Sequence, residues 1–370
     1  MRLAFCNATR RWGGVKTWSI EFAAALQAQG HMLHVYGKDS AFIERARNAG
    51  LDAKKVNFGC DYNPLSLGYF LREFQQKKMD AVLVNVGKDL RTAGLAARIL
   101  GIPLVQRIGL PGDRRNSLSV RLDDFLLRPH YLCPCRYIRD GMLRELPFVH
   151  AGRASVVYSA KDPLTRSPAL PERPLRIVSS SQVNANKGHK ELAHTLARLK
   201  GEGHDFVWEV AGTGNMLDAL RALCDELGLS GQTHFHGFVQ NVPQLLRTCD
   251  VFVLSSYTEG LPNTLLEAMA CGLVPIARDV GGVKECMPPE LSVFLAPLGY
   301  GAAFDGWADI ASETMPLYTP LKRVLSAQDS EVSAWKNLAL AHCREHFSLA
   351  VQSRKLADFF AKLPAATLPS

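Results

Sequence analysis

Apolar and polar residues alternate in blocks along the chain, and the first blocks predict strands separated by helices. Apolar runs at 3–7 and 31–37 have the length of buried strands, and the run 15–29 between them has a helical period closed by Gly30. Further strands of this first round are predicted at 81–86, 103–108 and 155–158. Strands that alternate with helices in this way form parallel sheets.

A second round begins after the stretch SAKDPLTRSPALPERP, residues 159–174, which contains four prolines and has no hydrophobic period. We interpret this stretch as a linker. The strand and helix patterns then resume, with strands predicted at 175–182, 205–212, 233–239 and 250–256 and helices at 189–200 and 216–227. A final amphipathic helical region is interrupted near 346–348.

The predicted fold class is therefore α/β, with two doubly wound Rossmann-like domains facing each other across a cleft. We place an N-terminal domain at 1–160, a linker at 161–174 and a second domain at 175–330. The helical segment 331–363 is expected to pack back on the N-terminal domain. In open α/β sheets ligands bind beyond the carboxyl ends of the strands, so functional residues are expected in strand-to-helix loops.

Composition supports a soluble globular protein, because 47% of the 370 residues are apolar and 21% are charged. The start MRLAFCNATRRWGG lacks the apolar stretch of a signal peptide, and no run approaches the roughly 18 apolar residues of a membrane span. The nine cysteines are scattered, which is typical of a reducing compartment. These features predict a cytoplasmic location.

The net charge of +8 is concentrated in the N-terminal half. Residues 1–160 carry 24 Lys and Arg against 13 Asp and Glu, whereas the remainder carries 19 against 22. A basic domain suits an anionic partner such as a membrane surface, a phosphorylated glycolipid or nucleic acid, although a merely solvated surface would have the same composition. Nucleic acid is disfavoured because no basic motif interleaved with aromatic residues is present.

Several strand-to-helix loops carry glycines or a lysine that suit a phosphate. Gly13 and Gly14 precede the first helix, where backbone amides favour an anion, and the Gly212-Thr213-Gly214 loop follows a later strand. Lys187 and Gly188 lie in the polar loop SSSQVNANKG, where a lysine supplies a mobile positive charge. Each loop taken alone is equally compatible with a tight turn or an exposed lysine.

The stretch YTEGLPNTLLEAMACG, residues 257–272, places two glutamates eight positions apart. Thr264 and Glu267 have the spacing of a capping box, in which both side chains satisfy amides at a helix start. Glu259 precedes a turn with Gly260 and Pro262, so it is either solvated or directed at a ligand. Carboxylates bind vicinal diols, such as those of ribose and hexoses, by accepting two hydrogen bonds.

These glutamates and the surrounding motifs resemble those of a known family. The segment EGLPNTLLEAMACGLVPIA is similar to the E-x7-E motif of the retaining glycosyltransferases of family 4, which have the two-domain GT-B fold. Further matches in chain order are Gly13-Gly14, Lys187-Gly188, AGTG at 211–214, FHGFV at 235–239, CDVFVLSS before the motif and VGGVKE after it. The resemblance is strong from Arg176 to Glu285 and loose over the N-terminal half, and it points to bacterial envelope glycan or lipopolysaccharide core enzymes.

The resemblance implies a binding site for a nucleotide-sugar donor. Glu267 would accept hydrogen bonds from the ribose, Glu259 would face the transferred sugar, and Lys187 would offset charge on the leaving diphosphate. The implied catalytic residues are Glu259, Lys187 and Arg107. The implied donor-binding residues are Gly13, Gly14, Gln182, Lys187, Gly212, Phe238, Val239, Glu259, Gly260, Asn263, Thr264, Leu265 and Glu267.

Two positions depart from the family pattern. Gln182 stands where the family has an arginine, five residues before the lysine, and Ile108 lies near the point where many members have a histidine. Arg107, beside Ile108, is the candidate replacement. No D-x-D sequence occurs, so the resemblance implies metal independence, and no cofactor is expected besides the donor substrate.

The expected function is retaining transfer of a sugar from a nucleotide sugar to a lipid-linked or phosphorylated glycan, such as lipopolysaccharide core or another envelope glycan. The basic N-terminal domain would bind this acceptor, with peripheral association at the inner face of the membrane. Two alternatives remain open at this point: a GT-B epimerase or hydrolase of nucleotide sugars, and a non-catalytic nucleotide-sugar-binding relative.

Overall fold

The chain divides into two compact units. In the computed structural model, which describes residues 1–10, 13–110, 112–298 and 315–364, unit 1 comprises Met1–Ser159 and Leu349–Ser370. Unit 2 comprises Ala160–Ser348. The linker predicted at 161–174 is thus counted with unit 2.

Unit 1 is built on a seven-stranded sheet whose strands are all parallel and lie in the order β3-β2-β1-β4-β5-β6-β7. The strands are β1 (Arg2–Asn7), β2 (Met32–Gly37), β3 (Asp52–Lys55), β4 (Ala81–Val84), β5 (Leu104–Arg107), β6 (His130–Cys133) and β7 (Ala154–Val156). The helices are α1 (Gly14–Ala28), α2 (Ser40–Asn48), α3 (Pro64–Lys77), α4 (Gly87–Asp89), α5 (Leu95–Ile99), α6 (Leu118–Leu127), α7 (Arg136–Glu145) and, from the end of the chain, α15 (Leu349–Ala361). A π-helical turn, Leu90–Gly94, joins α4 to α5.

Aromatic side chains fill the space on both faces of this sheet. Tyr36, Phe70 and Phe74 are buried and pack edge-on or tilted against one another. Phe5 lies between Trp18 of α1 and Phe360 of α15, with ring centroids 6.1 and 6.2 Å away. Burying one such ring contributes about 1.5 to 3 kcal/mol, so these contacts stabilise the sheet and its helices strongly.

Unit 2 contains a six-stranded parallel sheet in the order β10-β9-β8-β11-β12-β13. The strands are β8 (Leu175–Ser180), β9 (Phe206–Ala211), β10 (Thr233–Gly237), β11 (Val251–Leu254), β12 (Val274–Arg278) and β13 (Leu295–Ala296). The helices are α8 (His189–Gly201), α9 (Leu217–Glu226), α10 (Val242–Leu246), α11 (Asn263–Ala270), α12 (Val283–Cys286), α13 (Tyr318–Ser326) and α14 (Asp329–His342). Helix α8 packs on α9 and α13, whereas α11 packs on α10 and α14. In both sheets later strands are added on either side of the first, which confirms the prediction of two doubly wound units.

The predicted C-terminal segment 331–363 is divided between the units. Helix α14 packs on α11 and β12 in unit 2, whereas α15 packs on α1 in unit 1. The Gln29 amide donates to the Ser353 hydroxyl at 2.6 Å, which ties α15 to the end of α1. The helical path is interrupted at Ser348, as the sequence indicates, because this residue has extended backbone angles after a π-helical turn.

Some strands end earlier than their apolar runs. The run 81–86 forms a strand only to Val84, because Asn85 and Val86 donate their amides to the buried carboxylate of Asp89, at 3.0 and 3.2 Å. That carboxylate also accepts the Ala8 amide at 2.7 Å. An acid five residues after the end of β4 thus fixes the loops that follow β1 and β4.

No helix among the described residues has the length and apolar character needed to cross a bilayer.

Candidate nucleotide-sugar site

The loop after β8 packs directly on the loop after β9. Val183 donates its amide to the Thr213 carbonyl and accepts from the Met216 amide, both at 3.0 Å. A Cβ atom on Gly212 would lie 1.8 Å from the Ser181 carbonyl oxygen, and one on Gly214 would lie 2.2 Å from that of Val183. The two glycines are therefore required by contact between loops, a reason that sequence spacing does not reveal.

Lys187 ends a 3-10 turn, Ala185–Lys187, and Gly188 follows it with a φ angle of +70°. A Cβ atom on Gly188 would lie 2.1 Å from the Ser255 carbonyl oxygen, so only glycine fits there. The Ser255 hydroxyl donates to the Lys187 carbonyl at 2.7 Å, and the Tyr257 amide donates to the Asn186 carbonyl at 3.0 Å. These bonds attach the lysine loop to the carboxyl end of β11.

Glu259 lies in the loop that follows β11, and its carboxylate contacts Lys187. The Nζ of Lys187 and the Oε1 of Glu259 are 2.7 Å apart, and the two side chains are 20% and 15% exposed. Gly281 packs beneath this turn, since a Cβ atom there would lie 2.1 Å from the Glu259 carbonyl oxygen. The Gly282 amide donates to the Gly260 carbonyl at 2.7 Å. Two residues that are 72 positions apart are thus held together at one edge of the sheet.

A buried ion pair packs against the residues that precede Glu259. The Nη2 of Arg278 lies 2.6 Å from the Oε2 of Glu191, and neither side chain is exposed. The Tyr257 hydroxyl donates to the same carboxylate oxygen at 3.1 Å, and the Arg278 guanidinium lies 4.6 Å from the centre of the Tyr257 ring. Arg278 also donates to the Ser255 carbonyl at 3.3 Å. The network therefore fixes residues just before Glu259.

Sequence reasoning missed Glu191 and Arg278. The available signal was an acid three residues after Gly188 and an arginine at the end of an apolar strand, where an unpaired charge would be unfavourable. Nothing in the sequence pairs these two residues with each other.

The predicted capping box at Thr264 and Glu267 is wrong. Helix α11 begins at Asn263 with Pro262 as its N-cap, and no side chain caps it. Thr264 therefore lies within the first turn, because the helix begins two residues earlier than a cap at Thr264 would place it. The Oε1 of Glu267 instead lies 3.1 Å from the Nζ of Lys161. Asn263, Thr264 and Leu265 belong to the first turn, whose amides have no partner within the helix.

Phe238 and Val239 follow β10, and the Phe238 side chain is 81% exposed. Gly237 before them accepts the Gly212 amide at 2.8 Å, so this segment adjoins the Gly212 loop. The side-chain carbonyl of Gln182 accepts a hydrogen bond from the side-chain amide of Asn184 at 3.1 Å. Gln182 therefore supports the lysine loop, although it does not supply the positive charge of an arginine.

Gly13, Gly14 and Arg107 lie in unit 1. Gly13 has an extended conformation, with a φ angle of −178°, and caps α1. The Arg107 guanidinium is buried and lies 4.5 Å from the centre of the Trp18 ring. Burial lowers the pKa of Arg107 to about 10, and the nearby Asp113 carboxylate opposes this shift.

The carboxyl edge of the unit 1 sheet also contains buried polar atoms without a hydrogen-bond partner among the described residues. These atoms are the Asn7 Nδ2, the Asn85 Oδ1, the Gln106 Oε1 and the Trp18 Nε1. Unpaired buried polar atoms cost free energy, so they commonly mark places where water or a ligand binds.

Within the part of the chain that the structure describes, no group of three or more His, Cys, Asp or Glu side chains could hold a metal ion. At the carboxyl edge of unit 2 Lys187 supplies a positive charge, and its partner Glu259 precedes the start of α11 by four residues.

Comparison with known proteins relates part of this chain to a known family. Residues 161–297 match the family described as "Glycosyl transferases group 1". The structure of HepE from Anabaena in complex with UDP superimposes with a TM-score of 0.76 at 17% identity, covering 98% of this chain and all of HepE. The chain therefore has the GT-B fold, and residues 161–297 form a glycosyl transferases group 1 domain. The resemblance predicted from the sequence is confirmed.

Two curated bacterial proteins are similar over part of their length. The putative glycosyltransferase EpsD of Bacillus subtilis is 34% identical over 128 residues, which cover 35% of this chain and 34% of EpsD. A Campylobacter jejuni protein is 43% identical over 102 residues, covering 28% of this chain and 26% of that protein. It is named N,N'-diacetylbacillosaminyl-diphospho-undecaprenol alpha-1,3-N-acetylgalactosaminyltransferase. The matched region thus spans about a third or less of each relative.

Proposed function

We propose that the protein is a retaining, metal-independent glycosyltransferase that moves a sugar from a nucleotide-sugar donor to a lipid-linked or phosphorylated glycan acceptor of the cell envelope. The observation that carries this proposal is the contact of Lys187 with Glu259 at 2.7 Å, in loops after β8 and β11 of a glycosyl transferases group 1 domain. A cation and a sugar-binding carboxylate at one sheet edge suit the diphosphate and the hexose of one donor.

In the proposed reaction the donor diphosphate draws Lys187 away from Glu259. Lys187 then neutralises charge that develops on the leaving nucleoside diphosphate, together with the amides of the first turn of α11. Glu259, released from the lysine, accepts hydrogen bonds from the hydroxyls of the transferred sugar. The solved HepE complex contains UDP, so UDP-sugars are the first donors to test.

We further propose that a donor phosphate oxygen takes the proton of the acceptor hydroxyl on the face from which the diphosphate departs. The new bond then forms on that face, and the anomeric configuration is retained without a protein nucleophile. Glu267 binds the donor ribose in this proposal, and Phe238 and Val239 contact the base.

The acceptor is proposed to bind unit 1. Its carboxyl edge offers buried polar atoms on Asn7, Asn85 and Gln106 that can bond to glycan hydroxyls, and Arg107 suits a phosphate. The name of the Campylobacter relative specifies a diphospho-undecaprenol acceptor, which supports a lipid-linked substrate for this chain as well. We place the reaction in the cytoplasm, at the inner face of the membrane.

The test is release of nucleoside diphosphate from UDP-, GDP- and ADP-sugars in EDTA, with and without a glycolipid extract as acceptor. Glu259→Gln keeps the shape of the side chain but removes its charge, and Glu226→Gln on the exposed face of α9 is the matched control. We expect one donor to be cleaved at least about 100-fold more slowly by Glu259→Gln than by the control.

Three outcomes would overturn parts of this proposal. Equal rates in the two variants would remove Glu259 from the site. Dependence of cleavage on a divalent metal would contradict metal independence, and a transferred sugar with the opposite anomeric configuration, seen by NMR, would contradict retention.

A further inference from the structure

Helix α6 of unit 1 presents an apolar face outward. Leu118, Leu122, Phe125 and Leu126, which we call the α6 face, are 85%, 52%, 70% and 46% exposed. Their spacing places them in one stripe along the helix, because residues four, seven and eight positions apart share a side. A contiguous apolar surface of this kind marks an interaction site.

The acidic residues of α6 are buried and are neutralised by ion pairs. Asp123 is 1% exposed and lies 2.9 Å from the Nη2 of Arg91. Asp124 lies 2.7 Å from the Nη2 of Arg153 and accepts from the Tyr131 hydroxyl at 2.9 Å. The exposed residues of α6 therefore include no acid: they are Leu118, Ser119, Arg121, Leu122, Phe125 and Leu126.

Arginines surround the apolar stripe. An open pocket of about 430 Å³ beside Phe125 is lined by Arg121, Asp124, Phe125, Arg128, Phe148 and Arg153, and we call it the arginine pocket. The Arg121 guanidinium lies 5.6 Å from the centre of the Phe148 ring and donates to the Asn116 side-chain carbonyl at 2.9 Å.

Positive charge is in excess around this pocket. Arg128 in the pocket and Arg115, three residues before α6, are exposed, and neither forms an ion pair with any residue that the structure describes. Repulsion from Arg128 adds to burial in lowering the pKa of Arg98 beneath it. Glu145, an exposed acid at the end of α7, accepts a hydrogen bond from the Asn116 backbone amide at 3.1 Å.

We propose that the α6 face docks on an anionic phospholipid bilayer, with its leucines and Phe125 at the boundary of the acyl chains and a headgroup phosphate in the arginine pocket. An apolar stripe bordered by arginines is complementary to such a surface, which offers hydrocarbon and negative charge within a few ångströms. A second copy of this chain is a poorer occupant, because a symmetric contact would bring Arg121 and Arg128 near their own counterparts. The proposal rests on the membrane-linked acceptor proposed above.

Vesicle flotation tests this surface without donor or acceptor. We expect the protein to float with vesicles containing about 30% phosphatidylglycerol and not with pure phosphatidylcholine. The double variant Leu122→Asp, Phe125→Asp should bind at least about tenfold more weakly. Leu170→Asp is the control, since Leu170 is 78% exposed in unit 2. Circular dichroism melting must show that each variant is folded.

The role of the arginines is tested separately. Arg121→Gln with Arg128→Gln should reduce binding to anionic vesicles about tenfold or more, and lysine at both positions should restore most of it. Free glycerol phosphate at millimolar concentration should not release the bound protein, because the apolar contacts hold it at the bilayer.

Other results would overturn the proposal. Equal flotation of the aspartate double variant and the Leu170→Asp control would remove the α6 face from any membrane contact. A dimer in sedimentation velocity that the aspartate variant abolishes, without vesicle binding by the original chain, would assign the face to a second copy. Nucleoside diphosphate release from a soluble donor is unaffected by these changes, so loss of docking and failure of the proposed activity are distinguishable.

Discussion

The carboxyl edges of the two sheets are organised differently. In unit 2 the charged residues are already paired, with Lys187 on Glu259 and Arg278 on Glu191, and glycines hold the loops in direct contact. In unit 1 the buried polar side chains Asn7, Asn85 and Gln106 at the corresponding edge each have an atom without a partner among the described residues, as do His189 and Glu191 of unit 2. A charge-paired, closely packed edge suits one fixed ligand, whereas an edge with neutral unsatisfied groups suits a partner that supplies its own hydrogen bonds.

The largest expected effect is on the buried pair under the unit 2 loops. Arg278→Met leaves the Glu191 carboxylate buried without its partner, so we expect the free energy of unfolding to fall by about 3–5 kcal/mol. Adding Glu191→Met removes the unpaired charge and should recover much of that loss. Urea unfolding measures both variants, and a double variant no more stable than the single one would show that packing, not charge, is responsible.

The next prediction distinguishes the role of unit 2 in donor cleavage from the role of unit 1 in transfer to the acceptor. Lys187→Met should slow nucleoside diphosphate release about 10²- to 10³-fold, both with and without acceptor, because it removes charge stabilisation of the leaving group. Arg107→Met in unit 1 should slow only the transfer to acceptor and leave donor hydrolysis unchanged. Steady-state rates with one donor measure the difference. Equal losses of hydrolysis in the two variants would contradict a division between donor and acceptor roles.

A pH effect follows from His189, the first residue of α8. The imidazole is buried, neither ring nitrogen has a partner among the described residues, and burial together with the Lys187 charge lowers its pKa to about 4. The unfolded chain binds this proton more readily than the folded one. The contribution of neutral His189 to the free energy of unfolding is therefore complete above about pH 6.5. It decreases as the pH falls toward 4, by up to about 1.4 kcal/mol per pH unit.

Replacement of His189 isolates this contribution. His189→Leu should flatten the dependence of unfolding free energy on pH between 6.5 and 4, as measured by urea titration at each pH. His204→Leu in the exposed loop after α8 is the control and should keep the slope. An unchanged slope in His189→Leu would assign the dependence to other groups.

The smallest effect concerns the start of α11. A working threonine N-cap is worth about 1 kcal/mol, but Thr264 caps nothing in this structure. Thr264→Ala should therefore change the free energy of unfolding by less than about 0.5 kcal/mol, with thermal unfolding as the measurement. A loss near 1 kcal/mol would restore the capping box predicted from the sequence.

Much of the fold could be predicted because apolar runs and turn residues are local signals. The strands at 3–7, 175–182 and 250–256 were each found, with observed ends that differ from the predicted ones by at most two residues. The division of residues 331–363 was not predicted, because both α14 and α15 are amphipathic and the pattern does not say which sheet each apolar face covers.

For the candidate site, the sequence by itself determined the loops, the residue types and the resemblance that relates Lys187 to Glu259. These depend on local order along the chain, which the motif spacing records. Only the tertiary structure decided the partners: Lys161 for Glu267, Arg278 for Glu191 and Pro262 as the helix cap. Arg278 and Glu191 are 87 positions apart, and such a pairing depends on which strands become neighbours in the sheet and on burial that excludes water. The spacing of residues along the chain specifies neither which strands become neighbours nor which side chains are buried.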